Sequence, residues 1–328
     1  MLNPEEFLVF GVDVSKDELV LYDGSRHYRV KNERELKELS KLIRKRNGGD
    51  FGKVIISFEP TGGYSYHLLR FCSERKIKIM VVNPYKSSHF SKTQRPRGKN
   101  DEKDAVNLRK LVFVNPEEIR EARIDERLEM LNSLITLYDK TEREITSWQR
   151  SLKHRQGYYS EEQAEEIEGI KKVIKVLREN RERILRKINE EIGKDEELRK
   201  KREVIRSMKG VGEIVSIVLL NFFLKYPEVS RTKITSLSGL DIVSSSSGRS
   251  IKKRGRISKM GNKLVRRKLF MSAMYLIQTE GRFRRFYEEL RRRGKPKKVA
   301  ITAIMRKVLV VTYSLYKNMS FYSESYNV

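Results

Sequence analysis

The chain has 328 residues, 38% of them hydrophobic, which is enough to build two or three domains, each with a core of its own. Lys and Arg number 71 against 44 Asp and Glu, a formal net charge of +27, and a field of that sign favours polyanions and makes nucleic acid the default partner. The longest apolar stretch, Ile214 to Leu224, is far short of the ~20 residues that cross a bilayer, the start of the chain does not resemble a signal peptide, and the single cysteine, Cys72, excludes an internal disulfide or a thiolate zinc site. The expectation is a cytoplasmic protein without a membrane partner.

Residues 7 to 31 carry three strand patterns, FLVFGVDV, ELVLYDG and HYRV, the last two joined by the turn signal Asp23-Gly24. A helical face of Leu36, Leu39, Leu42 and Ile43 follows, then a buried strand KVIISFE, a helix through YHLLRFCSE, a strand IKIMVVN and a helix over about 102 to 113. This order predicts a mixed α/β sheet domain over 1–118. From 119 to 200 the pattern changes to charge-rich helices. Leu128, Leu131, Ile135, Tyr138, Ile145 and Leu152 keep a 3-4 spacing, and Ile170, Ile174, Leu177, Ile184 and Ile188 repeat it after a break at RQGYYSEEQ. Two antiparallel helices are implied, forming either a bundle within one chain or a coiled coil between two. A mainly helical unit, 201–328, completes the chain, and its Gly210-Val211-Gly212 is either a structural corner or a turn whose N–H groups hold a phosphate.

Asp13 stands in the apolar run of the first strand, where an ionised carboxylate costs several kcal/mol unless it is paired or bound to a metal. Glu59 ends the strand KVIISFE, and Pro60 keeps it extended; Asp101 and Asp104, three apart, share one face at the start of a helix. Each acid alone has an ordinary reading, as a turn residue, a strand end or a helix N-terminal charge. Together, on a strongly basic chain, they match the need of a Mg2+ site for several carboxylates from separate segments.

The segments GVDVSK, FEPTGGY, NPYKSSHFSKTQ and KNDEKDAVNLRKL resemble, in order and spacing, the N-terminal domain of the DEDD transposases encoded by one class of insertion sequence. The resemblance implies a RuvC-like domain of RNase H-type fold, with Asp13, Glu59, Asp101 and Asp104 as the catalytic, metal-binding acids; Asn100 stands where threonine is usual.

A second block, LSGLDIVSSSSGRSIKKRGRISKMGNKLVRRKLF, holds ten Lys or Arg among the twenty residues from Arg249 to Lys268 and no acid. With Gly255 and Gly261 allowing close backbone approach, it reads as a phosphate-binding strip: Arg249, Lys252, Lys253, Arg254, Arg256, Lys259, Lys263, Arg266 and Arg267. The block also resembles the C-terminal transposase domain of the same family. Aligned on SGL (238–240) and KMGN (259–262), the family's nucleophilic serine falls on Ser247; a slip of one residue along Ser244 to Ser247 nominates Ser246. Asp241 replaces a common proline. No histidine lies nearby to act as base, so activation would come from the metal-binding acids of the other domain, coupling the two into a composite site.

These readings converge on an α/β plus α protein: a RuvC-like domain, a helical coiled-coil middle and a helical C-terminal transposase domain. The function implied is a transposase or site-specific recombinase that binds a non-coding bridge RNA, pairs donor and target DNA, and exchanges strands through a phosphoserine with Mg2+ as a homo-oligomer, a dimer or a tetramer on DNA. RNA guidance comes from the resemblance alone. The rivals are a RuvC-like metal-dependent nuclease that uses water, and a non-catalytic nucleic-acid-binding protein.

Overall fold

The first thirty residues form three strands, β1 (Leu8–Val14), β2 (Glu18–Tyr22) and β3 (His27–Lys31), each antiparallel to the next. β4 (Val54–Phe58) lies parallel to β1, β5 (Lys78–Val81) parallel to β4, and the short β6 (Arg120–Glu121) closes the sheet, giving the order β3-β2-β1-β4-β5-β6. This is the mixed sheet expected of an RNase H-type domain. The computed structural model describes residues 3–93, 100–155, 164–243, 246–247, 251–252 and 256–323. It has two compact units, Met1–Asp125 and Glu126–Val328.

In the first unit, strand alternation sends Phe10, Val12, Val14, Ile56 and Phe58 to one face, where α1 (Lys37–Asn47) and α2 (Tyr66–Glu74) cover them with Leu39, Ile43, Leu68 and Phe71. Val9, Ile55 and Met80 point the other way, against Leu108, Leu111 and Val112 of α4 (Asp101–Val114). α4 comes so close to β1 that a Cβ on Gly11 would stand 1.9 Å from the Ala105 carbonyl oxygen and 2.4 Å from the Arg109 nitrogen. Only glycine fits there. Two elements escape the sequence reading, β6 and α3 (Pro84–Thr93): β6 has only two residues, and α3 is a polar segment whose apolar positions do not repeat at helical spacing.

The turn signal Asp23-Gly24 does more than reverse the chain. Asp23 has no exposed side-chain surface, and its carboxylate accepts from the Ser25 and Arg26 N–H groups and from the Ser25 and Tyr28 hydroxyls, with Arg46 of α1 at 2.7 Å. Burial alone would raise its pKa, but these hydrogen bonds outweigh burial and bring it from 3.8 down to about 2.

In the second unit, α5 (Glu126–Arg155) and α6 (Ala164–Gly193) run antiparallel. Arg127 near the start of α5 pairs with Asp195 just past α6, and Glu142 in the middle of α5 pairs with Arg181 at 2.6 Å. Most of the break RQGYYSEEQ, residues 156–163, lies outside the described residues. Leu131, Ile135 and Tyr138 of α5 and Ile184, Ile188 and Ile192 of α6 share one core with the helices that follow, whereas Ile145, Ile170 and Ile174, also buried, lie outside that core. Those helices are α7 (Glu196–Arg206), α8 (Glu213–Lys225), α9 (Arg231–Ser238), α10 (Lys263–Gln278), α11 (Arg282–Arg292) and α12 (Lys297–Asn318). α8 is buried from Val215 through Phe223 except at Asn221, whose half-buried amide donates to Asn132 of α5.

α12 corrects the sequence reading of apolar length. By length and composition it could cross a membrane, although Arg306 and Lys307 interrupt its apolar run, yet 67% of its apolar window is buried among the other helices. At Gly210, between α7 and α8, φ is 81° and a Cβ would stand 2.8 Å from Leu276 of α10, so the turn has a structural reason of its own.

Two measurements test this packing. Gly11→Ala must push α4 off β1 and should cost roughly 1–3 kcal/mol in urea unfolding, as overpacked cores do. Asp23 has a folded-state pKa below its unfolded value, so its ionisation contributes about 2 kcal/mol that is fully present above pH ~4 and is lost as pH falls through about 2. The stability gap between the natural protein and Asp23→Asn should therefore be wide at pH 6 and shrink steadily towards pH 2.

Candidate active site and nucleic-acid interface

The parallel ladder between β1 and β4 ends at the pair Val12 and Phe58, so Asp13 and Glu59, one residue further on, stand side by side at the C-terminal ends of two adjacent strands. Asp13 shares the face of Val9 and Gly11, the face that α4 covers. α4 runs back along β1: the Arg109 guanidinium donates to the Val9 carbonyl at 3.1 Å, and Ala105, one turn earlier, crosses Gly11. Four helical residues rise about 6 Å and two strand residues about 6.6 Å, so the next turn back, with Asp101 and Asp104, comes level with Asp13.

That turn is fastened from both sides. The Asn100 side chain accepts the Glu102 N–H at 3.2 Å as the helix cap, so the asparagine found in place of threonine keeps the capping function. Arg29 of β3 bridges Glu18 and Glu102 at 2.8 and 3.3 Å. The sequence reading overlooked Asn32, whose amide donates to the Ser15 carbonyl at 2.8 Å and to the Tyr64 carbonyl at 2.9 Å. It ties the loop after Asp13 to the loop after Glu59. An isolated asparagine after a strand carries no motif signal, and only the fold shows what it joins.

The elements therefore bring four carboxylates, hard oxygen donors suited to Mg2+, to one end of the sheet. Asp13, Glu59 and Asp104 are half-buried and Asp101 is exposed. Among the described residues no three acidic, histidine or cysteine side chains close on a common point. Residues 94–99, which lead into α4, lie outside the described residues.

In the second unit the two family segments SGL and KMGN prove to be one clasp. Gly239 (φ 70°) closes α9, and a Cβ on Gly261 would stand 2.1 Å from the Leu237 oxygen and 2.3 Å from the Gly239 nitrogen. Backbone hydrogen bonds from Lys259 to Gly239 (3.1 Å), Asn262 to Leu237 (3.1 Å) and Ser258 to Asp241 (2.9 Å) lock the crossing. The Ser258 hydroxyl also donates to the Asp241 carboxylate. The close approach that Gly261 permits is thus to the protein's own backbone, and this corrects its reading as a phosphate seat. Gly255 lies outside the described residues.

A ribbon grows from the clasp. β7 (Ile242–Val243) pairs with β10 (Arg256–Ile257), and β8 (Ser246–Ser247) pairs with β9 (Ile251–Lys252), Ser246 opposite Lys252 and Ser247 opposite Ile251. Ser247 is the last described residue before the connection 248–250. Arg249, Lys253 and Arg254 fall outside the described residues, and Lys252 is described by its backbone alone. Arg256, Lys259 and Lys263 are exposed. Arg266 and Arg267 are half-buried and are engaged within the protein. Arg266 donates to the Ser238 carbonyl at 2.9 Å and the Gly261 carbonyl at 2.7 Å, and Arg267 pairs with Asp139 of α5. Asp139 also holds Arg143 and faces Lys268, whose ammonium burial pushes below the usual lysine range although Asp139 and Glu142 act against that.

Comparison with known proteins matches these two regions to two family models. The first, described as a transposase of the DEDD IS110 type, covers residues 10–155 and so all four acids; the second, described as the transposase IS116/IS110/IS902 family, covers 202–288 and so the clasp, the ribbon and the strip. The chain belongs to the IS110-type DEDD transposases. It is also 25% identical over 263 residues to the pilin gene-inverting protein of Moraxella lacunata, with 79% of each chain covered, and to that of Moraxella bovis at the same identity and coverage. It is therefore a DNA-recombining enzyme, and its substrates are DNA.

The clasp separates two kinds of arginine and lysine in this transposase. Arg266→Gln should lower stability by about 1.5–3 kcal/mol, the usual worth of hydrogen bonds from a charged donor, and change the salt slope of DNA binding less than Lys263→Gln does. Lys263→Gln should do the reverse, holding stability while flattening the log–log slope by about 0.7–0.9. Unfolding curves and salt titrations of both variants check this.

Proposed function

We propose that this transposase cuts and exchanges DNA strands through Ser247, with Asp13, Glu59, Asp101 and Asp104 holding Mg2+. The observation that carries the reading is the strand register that sets Asp13 beside Glu59, with the first turn of α4 brought level by Gly11. A divalent cation held by Asp13, Glu59, Asp101 and Asp104 would supply charge stabilisation to a bound phosphate. The serine oxygen forms a new bond to phosphorus, the deoxyribose oxygen leaves as a hydroxyl, and the retained phosphoester lets rejoining proceed without ATP. The exposed lysines and Arg256 around the ribbon would neutralise the phosphate chain. The family resemblance alone supports a bridge RNA as partner and a homo-oligomer as the working form, the net charge of +27 fits nucleic acid in general, and the single cysteine fits a cytoplasmic setting.

Denaturing gels of the protein with donor and target DNA in Mg2+ test the reading. A denaturation-resistant protein–DNA adduct should form, and Ser247→Ala should eliminate adduct and recombination together. If Ser247→Ala still cuts at the normal rate, water is the nucleophile and the protein acts as a nuclease. If Ser246→Ala alone is dead, the serine chemistry stands with the alignment moved by one residue. Asp13→Asn should abolish cleavage and leave DNA binding intact; unchanged cleavage would remove the acids from the mechanism. Sequencing of co-purified RNA tests the guide.

A further inference from the structure

The exposed cations of the strip do not sit on a convex surface. They rim a groove of about 1010 Å3 whose walls are the base of the ribbon, α10 and α12. The floor is apolar and open to solvent: Phe270 of α10 is 43% exposed, Val299 of α12 49%, Met260 55% and Ile242 of β7 62%. Lys259 and Lys263 stand on one side and Lys298 on the other, with Arg256 at the ribbon; none of the four makes an ion pair among the described residues. Lys259 is held in the left-handed region, φ 57°, by its backbone bond to Gly239, a conformation that a non-glycine residue adopts only when its surroundings impose it.

The combination is selective. A duplex offers a groove of this kind only its phosphates and leaves the apolar floor wet, whereas an unpaired strand offers phosphates and flat apolar base faces together. Among the described residues its lining has no Asn, Gln, Asp or Glu to pair with adenine or cytosine edges, the hydroxyls of Thr302 and Ser258 are already engaged, with the Lys298 carbonyl at 2.8 Å and with Asp241, and Arg266 and Arg306 donate to backbone carbonyls of the protein itself. We infer that this groove holds a single, unpaired DNA strand, its phosphates on the lysine rim and its bases on Phe270 and Val299, beside the ribbon that leads to Ser247. The inference rests on reading the strip as a nucleic-acid surface, and it goes further by naming the form of DNA that the surface takes. Contacts of this kind, to phosphates and to base faces, depend little on sequence.

The test uses the full chain and two non-covalent probes, oligo-dT and a blunt duplex of equal length, at several salt concentrations. Phe270→Ala and Val299→Ser replace exposed side chains and should leave unfolding curves unchanged. Phe270→Ala should weaken oligo-dT binding about tenfold or more, the ordinary loss for one base stacked on an aromatic ring, and Val299→Ser should weaken it by less, both with the salt slope and the duplex affinity unchanged. Lys298→Gln should flatten the oligo-dT slope by about 0.7. Oligo-dT affinity equal to that of the natural protein in both apolar variants would overturn the proposal. Equal losses for duplex and single strand would overturn it in favour of a duplex surface, and a changed oligomeric state without a binding defect would make the groove an interface between two copies. Failure of the covalent adduct leaves this outcome untouched, because the measurement involves no strand cleavage.

Discussion

The candidate catalytic corner of this transposase depends on a missing methyl-sized atom. Without a Cβ at position 11, α4 can lie directly on the backbone of β1, and the carbonyl of Ala105 occupies the space any other residue would fill. The spacing of the acids follows from that contact. Because the helix advances one turn for each two strand residues, seating Ala105 on Gly11 fixes where Asp101 and Asp104 stand relative to Asp13. The sheet adds Glu59 through register, and Asn32 joins the two loops that follow.

The second unit uses the same device for another end. Gly239 and Gly261 let two chain segments cross backbone to backbone, and Arg266 closes the crossing with two carbonyl bonds. In both units a glycine that looks like a flexible point in the sequence is a point of tight contact. The consequence is mechanical: Asp241 and Ser258 fix the β7–β10 pair to the clasp. Asp139 then links the basic helix α10 to α5 through Arg267.

Much of this could be read before the fold was known. The strands β1 to β5 follow from alternation and turn residues, and the acids stood out because a carboxylate in an apolar strand needs a reason. The long helices were evident from their 3-4 spacing, though spacing could not say that Leu131 and Ile188 share a core with α8 and α12. What remained hidden was relational. The charge of Arg266 and Arg267 is visible in the sequence, but the carbonyls and the Asp139 carboxylate that engage them come from segments 5 to 128 residues away. The groove floor was hidden for the same reason: Phe270 and Val299 belong to different helices, and neither is remarkable alone.

The shared core of α5, α6 and the C-terminal helices sets how this kind of protein can exchange parts. A recombination of genes that joined the sheet unit of one relative to the helical unit of another would keep both cores whole only if the crossover fell near Asp125, where the two compact units meet in the chain. A junction at about residue 200 would part Ile184 and Ile188 from the partners that bury them and leave a greasy, unmatched surface on each half. The long hairpin therefore travels as part of the inheritance of the serine-bearing unit, and the acidic unit is the portable one.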